Sequence, residues 1–78
     1  MAISVTNPAM IERQHLMADC SVTPAQIAGM MAASDAAIMK SIAAGRAMLT
    51  GLSGEEADRC AGMLRAFEIE ADLRGIRV

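Results

Sequence analysis

The side chains best able to do chemistry are few and widely spaced. His15 stands three residues after Glu12, the Glu-x-x-His spacing by which helical di-iron proteins set two ligands on one helix face. That chemistry needs further inward-facing carboxylates and a second His, which a chain with one His could take only from a symmetric partner. Glu12, His15 and Asp19 share the polar side of an amphipathic segment, so they are expected in water rather than on a metal. Met30, Met31, Met39 and Met48 carry thioethers, which with thiolates are the ligands that select Cu(I). No dense Met-x-x-Met cluster is present, and methionines at helical spacing fill cores or form adaptable binding surfaces. Met39, away from the main apolar stripe, is expected to touch a partner. Cys20 and Cys60 lack CxxC spacing and read as reduced, small buried hydrophobes. With no glycine-rich phosphate loop and no paired carboxylates in an identifiable pocket, no catalytic residue, metal, cofactor or small-molecule substrate can be assigned. The chain reads as non-enzymatic.

The elements that carry these residues are well punctuated. Asn7 before Pro8 makes an N-cap and first-turn pair, because Asn accepts orphan N–H groups and Pro lacks the donor that the first turn cannot use. A first helix is predicted over about 8–18, with Met10 and Met17 inward, preceded by an extended arm at 1–6. Thr23, Pro24 and Gln26 repeat the signal as a capping box and open a second helix predicted over about 24–50. Gly51 is expected to end it in a left-handed conformation, and Ser53 with Glu56 to form a capping box for a third helix over about 54–74. Ala57, Cys60, Leu64, Phe67 and Ala71 then form a heptad-like stripe for packing on the second helix. Met63, Ile69, Leu73 and Ile76 form a second row, partly exposed in a lone hairpin and a candidate contact surface. Glu55 with Arg59 and Glu70 with Arg74 are i,i+4 pairs that read as a solvated face. The predicted fold is all-α: a single domain over 1–78 with a short N-terminal helix followed by an antiparallel helical hairpin, three helices in a small bundle.

The second helix sets the functional expectation. Ile27, Met31, Ile38, Ile42 and Leu49 make a core stripe, with Met30 and Met48 at its edge, but the opposite side is alanine and glycine with Lys40 the main exception. A helix apolar nearly all round is usually buried, and 78 residues with one Phe and no Trp or Tyr offer little to bury it. Self-association or a partner chain is therefore expected. Ala25, Gly29, Ala33, Ala37, Ser41 and Gly45 put a small residue at every fourth position, a candidate seam for close helix pairing. A net charge of −2 gives no long-range attraction to nucleic acid or anionic membranes. Asp35, Lys40 and Arg46 interrupt the one apolar stretch that could span a bilayer, and the N-terminus lacks the pattern of a signal peptide. A cytoplasmic chain is expected.

Residues 22–42 also resemble the helix-turn-helix segment of small phage and bacterial repressors, at Val22-Thr23, Ile27-Ala28, Met31, Ser34 and Ile38. The resemblance implies a helix over about 24–31 and a recognition helix opening near Ser34, with Ser34, Asp35, Ala36, Met39 and Lys40 toward DNA; on charge grounds such binding would also require Arg46. The turn glycine of that family is Ala32 here, and its later core position falls on Ser41. Two readings follow. The first is a protein-contact module: a homo-oligomeric assembly subunit, or an adaptor or inhibitor bound to a larger protein, of the kind phages encode. Its contact surface would use Gly29, Ala33, Ala37, Met39 and Gly45 with Met63, Ile69, Leu73 and Ile76. The second is a DNA-binding regulator using 22–42. Whether the second helix is continuous or broken near Ser34 separates them.

Overall fold

A computed structural model describes residues 7–77, all of whose regular structure is helical. The order is α1 (Pro8–Leu16), a 3₁₀ turn (Ala18–Cys20), α2 (Pro24–Ala32), α3 (Asp35–Leu49) and α4 (Gly54–Leu73). The predicted all-α class holds, but among the described residues there are four α-helices rather than three. The expected arm at 1–6 lies outside the described residues.

Two predicted helix starts form as the residue types require. The Asn7 side chain accepts the Ala9 N–H at 3.0 Å with Pro8 in the first turn. Thr23 and Gln26 form the reciprocal capping box, at 3.1 Å from the Gln26 N–H to Thr23 Oγ1 and 2.7 Å from the Thr23 N–H to Gln26 Oε1. The first helix ends at Leu16, two residues early, because the chain tightens into the 3₁₀ turn that buries Cys20. Ser21 then takes a left-handed conformation, φ 58°, and turns the chain toward α2.

The second predicted helix is broken. Ala33 and Ser34 are extended, with ψ 150° and 161°, and Ser34 caps α3 by accepting the Ala37 N–H at 3.1 Å. Neither residue is Gly or Pro, so nothing in the local sequence forces the break. The α3–α4 connection also differs from expectation. Gly54 rather than Gly51 is left-handed, at φ 63°, and the Ser53 side chain makes no cap bond, so the Ser53–Glu56 capping box does not form. At the far end of α4, Gly75 at φ 75° completes a Schellman closure: the Gly75 N–H donates to the Asp72 carbonyl at 3.0 Å and the Ile76 N–H to the Ala71 carbonyl at 2.9 Å.

The short connection makes α3 and α4 antiparallel neighbours that pack along their length, while the 3₁₀ turn and α2 rest on α4, and α1 on α2. The core is Met17, Cys20, Ile27, Met30, Ile38, Ile42, Leu64, Ala66 and Ala71. It takes in the predicted stripe residues Ile27, Ile38 and Ile42, whereas Met48 is 60 % exposed. The 3₁₀ turn sits so close to α4 that a Cβ at Gly62 would lie 2.6 Å from the Cys20 carbonyl oxygen.

Candidate functional site

A buried charge network fixes the frame on which any surface site is built. Glu70, 1 % exposed, accepts from Arg13 Nε at 2.7 Å and Nη2 at 3.2 Å, and from Arg74 Nε at 2.8 Å. The guanidinium of Arg74 donates onward to the carbonyls of Ala33 at 2.8 Å, Met30 at 2.7 Å and Met31 at 3.3 Å, and to Asp35 Oδ1 at 2.9 Å. One side chain thus caps the C-terminal end of α2, where orphan carbonyls carry partial negative charge, and ties down the first residue of α3. Glu70 and Arg74 are not the solvated surface pair expected from their i,i+4 spacing. They are the junction of all four α-helices. Burial disfavours an ionised Glu70, but the two guanidiniums overturn that penalty and hold its carboxyl below the usual carboxylate range. Both arginines are pushed up in turn by their bonds to Glu70.

Beside this frame an open apolar groove of about 530 Å³ runs between α3 and α4, walled by Ser41, Gly45 and Met48 on one side and by Cys60, Met63 and Phe67 on the other. Glu56 and Arg59 stand at the end nearest the α3–α4 connection. A second hollow of about 340 Å³ shares Ser41, Met63 and Phe67 and extends the groove across Gln26 and Gly29 of α2 and Ala33 of the break. Of the expected contact residues, the fold therefore brings Gly29, Ala33, Gly45 and Met63 to one surface. It does not bring the others there. Ala37 and Met39 are exposed on α3 away from the groove lining, Ile69 and Ile76 pack against the core, and Leu73 is exposed near the end of α4.

The row of small residues is divided by the break into two pieces with different surroundings. At Gly45 a Cβ would lie 3.3 Å from Leu64 Cδ1, so close approach there occurs within the chain. At Gly29 nothing lies within 4 Å. Sequence reasoning missed Phe67 as a groove wall because its heptad position assigns it to the hairpin core, and missed Arg13 because its partner is 57 residues away.

The residues of the helix-turn-helix resemblance are placed partly as it implies. α2 ends at Ala32 and α3 opens after Ser34, at the expected start of a recognition helix. The turn itself has no left-handed residue, in keeping with Ala32 in place of glycine. Asp35 is bound to Arg74 and Arg46 to Glu68 at 3.1 Å, while Met39 and Lys40 are exposed. Glu12, His15 and Asp19 lie on the surface, and among the described residues no three His, Cys, Asp or Glu side chains converge as a metal site. Cys20 is buried and its thiol is pushed up by desolvation, and Cys60 is half-buried at the groove, 3.6 Å from the Gly45 carbonyl. No helix among the described residues is long and apolar enough to cross a membrane. Comparisons with family models, curated proteins and solved structures returned no match.

Proposed function

We propose that this chain is a non-enzymatic helical module that works by protein contact, receiving an apolar helix of a partner in the groove between α3 and α4. The observation that carries the reading is the groove wall itself: Met48 of α3 and Met63 and Phe67 of α4 line it, and the charged residues are confined to one end. Apolar anchors spaced along a partner helix suit such a groove, and flexible thioethers adapt their shape to the incoming side chains. Gly45 and Ser41 keep one wall low, which lets a helix backbone settle deeply. The reading covers both a homo-oligomeric assembly subunit and an adaptor or inhibitor of a larger protein. Light scattering of the purified chain at low and high salt tests it, together with binding of an apolar dye. Association is expected to tolerate salt and to weaken at least tenfold in Met63→Glu, the usual scale for a central interface side chain. A chain whose mass and dye binding are both indifferent to Met63→Glu would refute the groove.

One observation favours a second reading, a helix-turn-helix regulator: the break before α3 lies where the repressor resemblance puts it. Its reading surface is poorly charged, since Lys40 is the one cation of α3 that forms no ion pair with another described residue. Duplex binding that falls steeply between low and moderate salt and is lost in Lys40→Ala would select this reading over the first.

A further inference from the structure

We infer that the two-residue break between α2 and α3 is a hinge through which the chain exchanges its N-terminal unit, residues 7–32, with a second copy of itself. The inference is independent of the groove.

The local sequence permits the break, through the Ser34 cap, without forcing it. Ala32, Ala33, Ser34 and Asp35 can all be helical, and a continuous helix over 24–49 would let the N–H groups of Ser34, Asp35, Ala36 and Ala37 donate to the carbonyls of Met30, Met31, Ala32 and Ala33. In the bent form four of those groups find other partners. Arg74 takes the carbonyls of Met30, Met31 and Ala33, and Ser34 Oγ takes the Ala37 N–H. Two side chains therefore hold closed a bend that the backbone alone would straighten.

Straightening costs one isolated chain its contacts, because the N-terminal unit is held by α4: the 3₁₀ turn lies on Gly62, and Arg13 bonds Glu70. It barely touches α3. A second straightened copy supplies an identical unit to the vacated surface, so every one of those contacts is remade between chains and only the hinge differs. Exchange of an identical element across a short hinge is a low-cost route to a dimer. Gly29, with nothing near its Cβ position in the single chain, then lies on one unbroken ridge with Ala33, Ala37, Ser41 and Gly45.

The test is the mass of the chain after refolding at millimolar concentration and dilution, for the wild type, Ser34→Ala, Arg74→Ala and Ser34→Pro. The wild type is expected to yield a slowly dissociating dimer beside the monomer. Ser34→Ala removes a cap that only the bent form uses, once from each of the two monomers that pair, and should raise the dimer association constant about tenfold or more. Arg74→Ala should act in the same direction, with Ser34→Ala deciding the case should that variant fail to fold. Proline fits the bent form, since Ser34 has φ −71° and Ala33 has ψ 150°, but it cannot sit inside a continuous helix. Ser34→Pro should therefore stay monomeric. Spin labels at the exposed positions Ala25 and Ala47 give the hinge directly: a continuous helix holds their backbones about 33 Å apart, from 1.5 Å per residue. A dimer that survives Ser34→Pro, an unchanged label distance in the dimer, or a Ser34→Ala chain that stays monomeric would each overturn the exchange. Groove pairing gives the opposite pattern, surviving Ser34→Pro and weakening in Met63→Glu.

Discussion

Glycine at three positions of the helices does three different things, and only the surroundings tell them apart. Gly62 lets the Cys20 carbonyl approach to a distance that no Cβ tolerates, 2.6 Å, and the clashing atom is backbone that cannot swing aside. Gly62→Ala should therefore destabilise the fold by about 1–3 kcal/mol despite its better helix propensity. Gly29 has open space, so Gly29→Ala should stabilise by roughly 0.5–1 kcal/mol through the unfolded chain and the helix backbone. Thermal unfolding of the two variants should move the midpoint in opposite directions, and a stabilised Gly62→Ala would mean that the 3₁₀ turn is not seated on α4. At Gly45 the neighbour is the flexible end of Leu64, and the sign depends on its rotamer. None of this was legible in the sequence, where the small residues of the second predicted helix form one uniform row and Gly62 belongs to no pattern. The N-caps were legible because Asn7-Pro8 and Thr23-Pro24-Gln26 act within a single turn.

The helices themselves were legible where the signal is local and illegible where it is tertiary. The repeating apolar positions of α3 and α4 fix their facing sides, and Ile38, Ile42 and Leu64 are buried accordingly. The division of α2 from α3 was not legible as a necessity, because beside the local Ser34 cap it is held by Arg74, 41 residues beyond Ala33. For the same reason Glu70 read as surface: a helical wheel shows its i,i+4 partner and hides Arg13. The network predicts how the elements respond to acid. Glu70 ionises more readily in the folded chain than in the unfolded one, so on acidification the unfolded chain takes up the proton first. Its stabilising contribution is complete above the ordinary glutamate pKa of ~4.3 and is lost as pH falls from there through the lower folded value. Urea midpoints measured from pH 7 to 3 should drop over that window, and Glu70→Gln should show a shallower drop. Removing the acceptor altogether in Glu70→Ala should cost about 3 kcal/mol at pH 7, because two guanidiniums lose their buried partner.

At the scale of the whole molecule the described chain is a plate rather than a ball. Its Cα extents are 47 × 26 × 16 Å and its radius of gyration is 13.3 Å, against about 11.5 Å for a compact chain of this length. A layer that thin leaves one face of the α3–α4 hairpin bare, which is why the methionine groove exists. The expectation of a contact surface came from an excess of apolar residues that a small core cannot absorb, and the fold absorbs much of that excess by bending at Ala33 and Ser34 instead of leaving one long apolar helix. X-ray scattering at low concentration should return the elongated profile of a monomer, and a rounder particle of twice the mass at high concentration that persists in Ser34→Pro and is lost in Met63→Glu would report groove closure. The bend also has an order in time. Its strongest cap spans 44 residues from Met30 to Arg74, a contact whose loop must close before it contributes anything. Until that loop closes, the Ser34 cap alone tells residues 24–49 to be two helices rather than one.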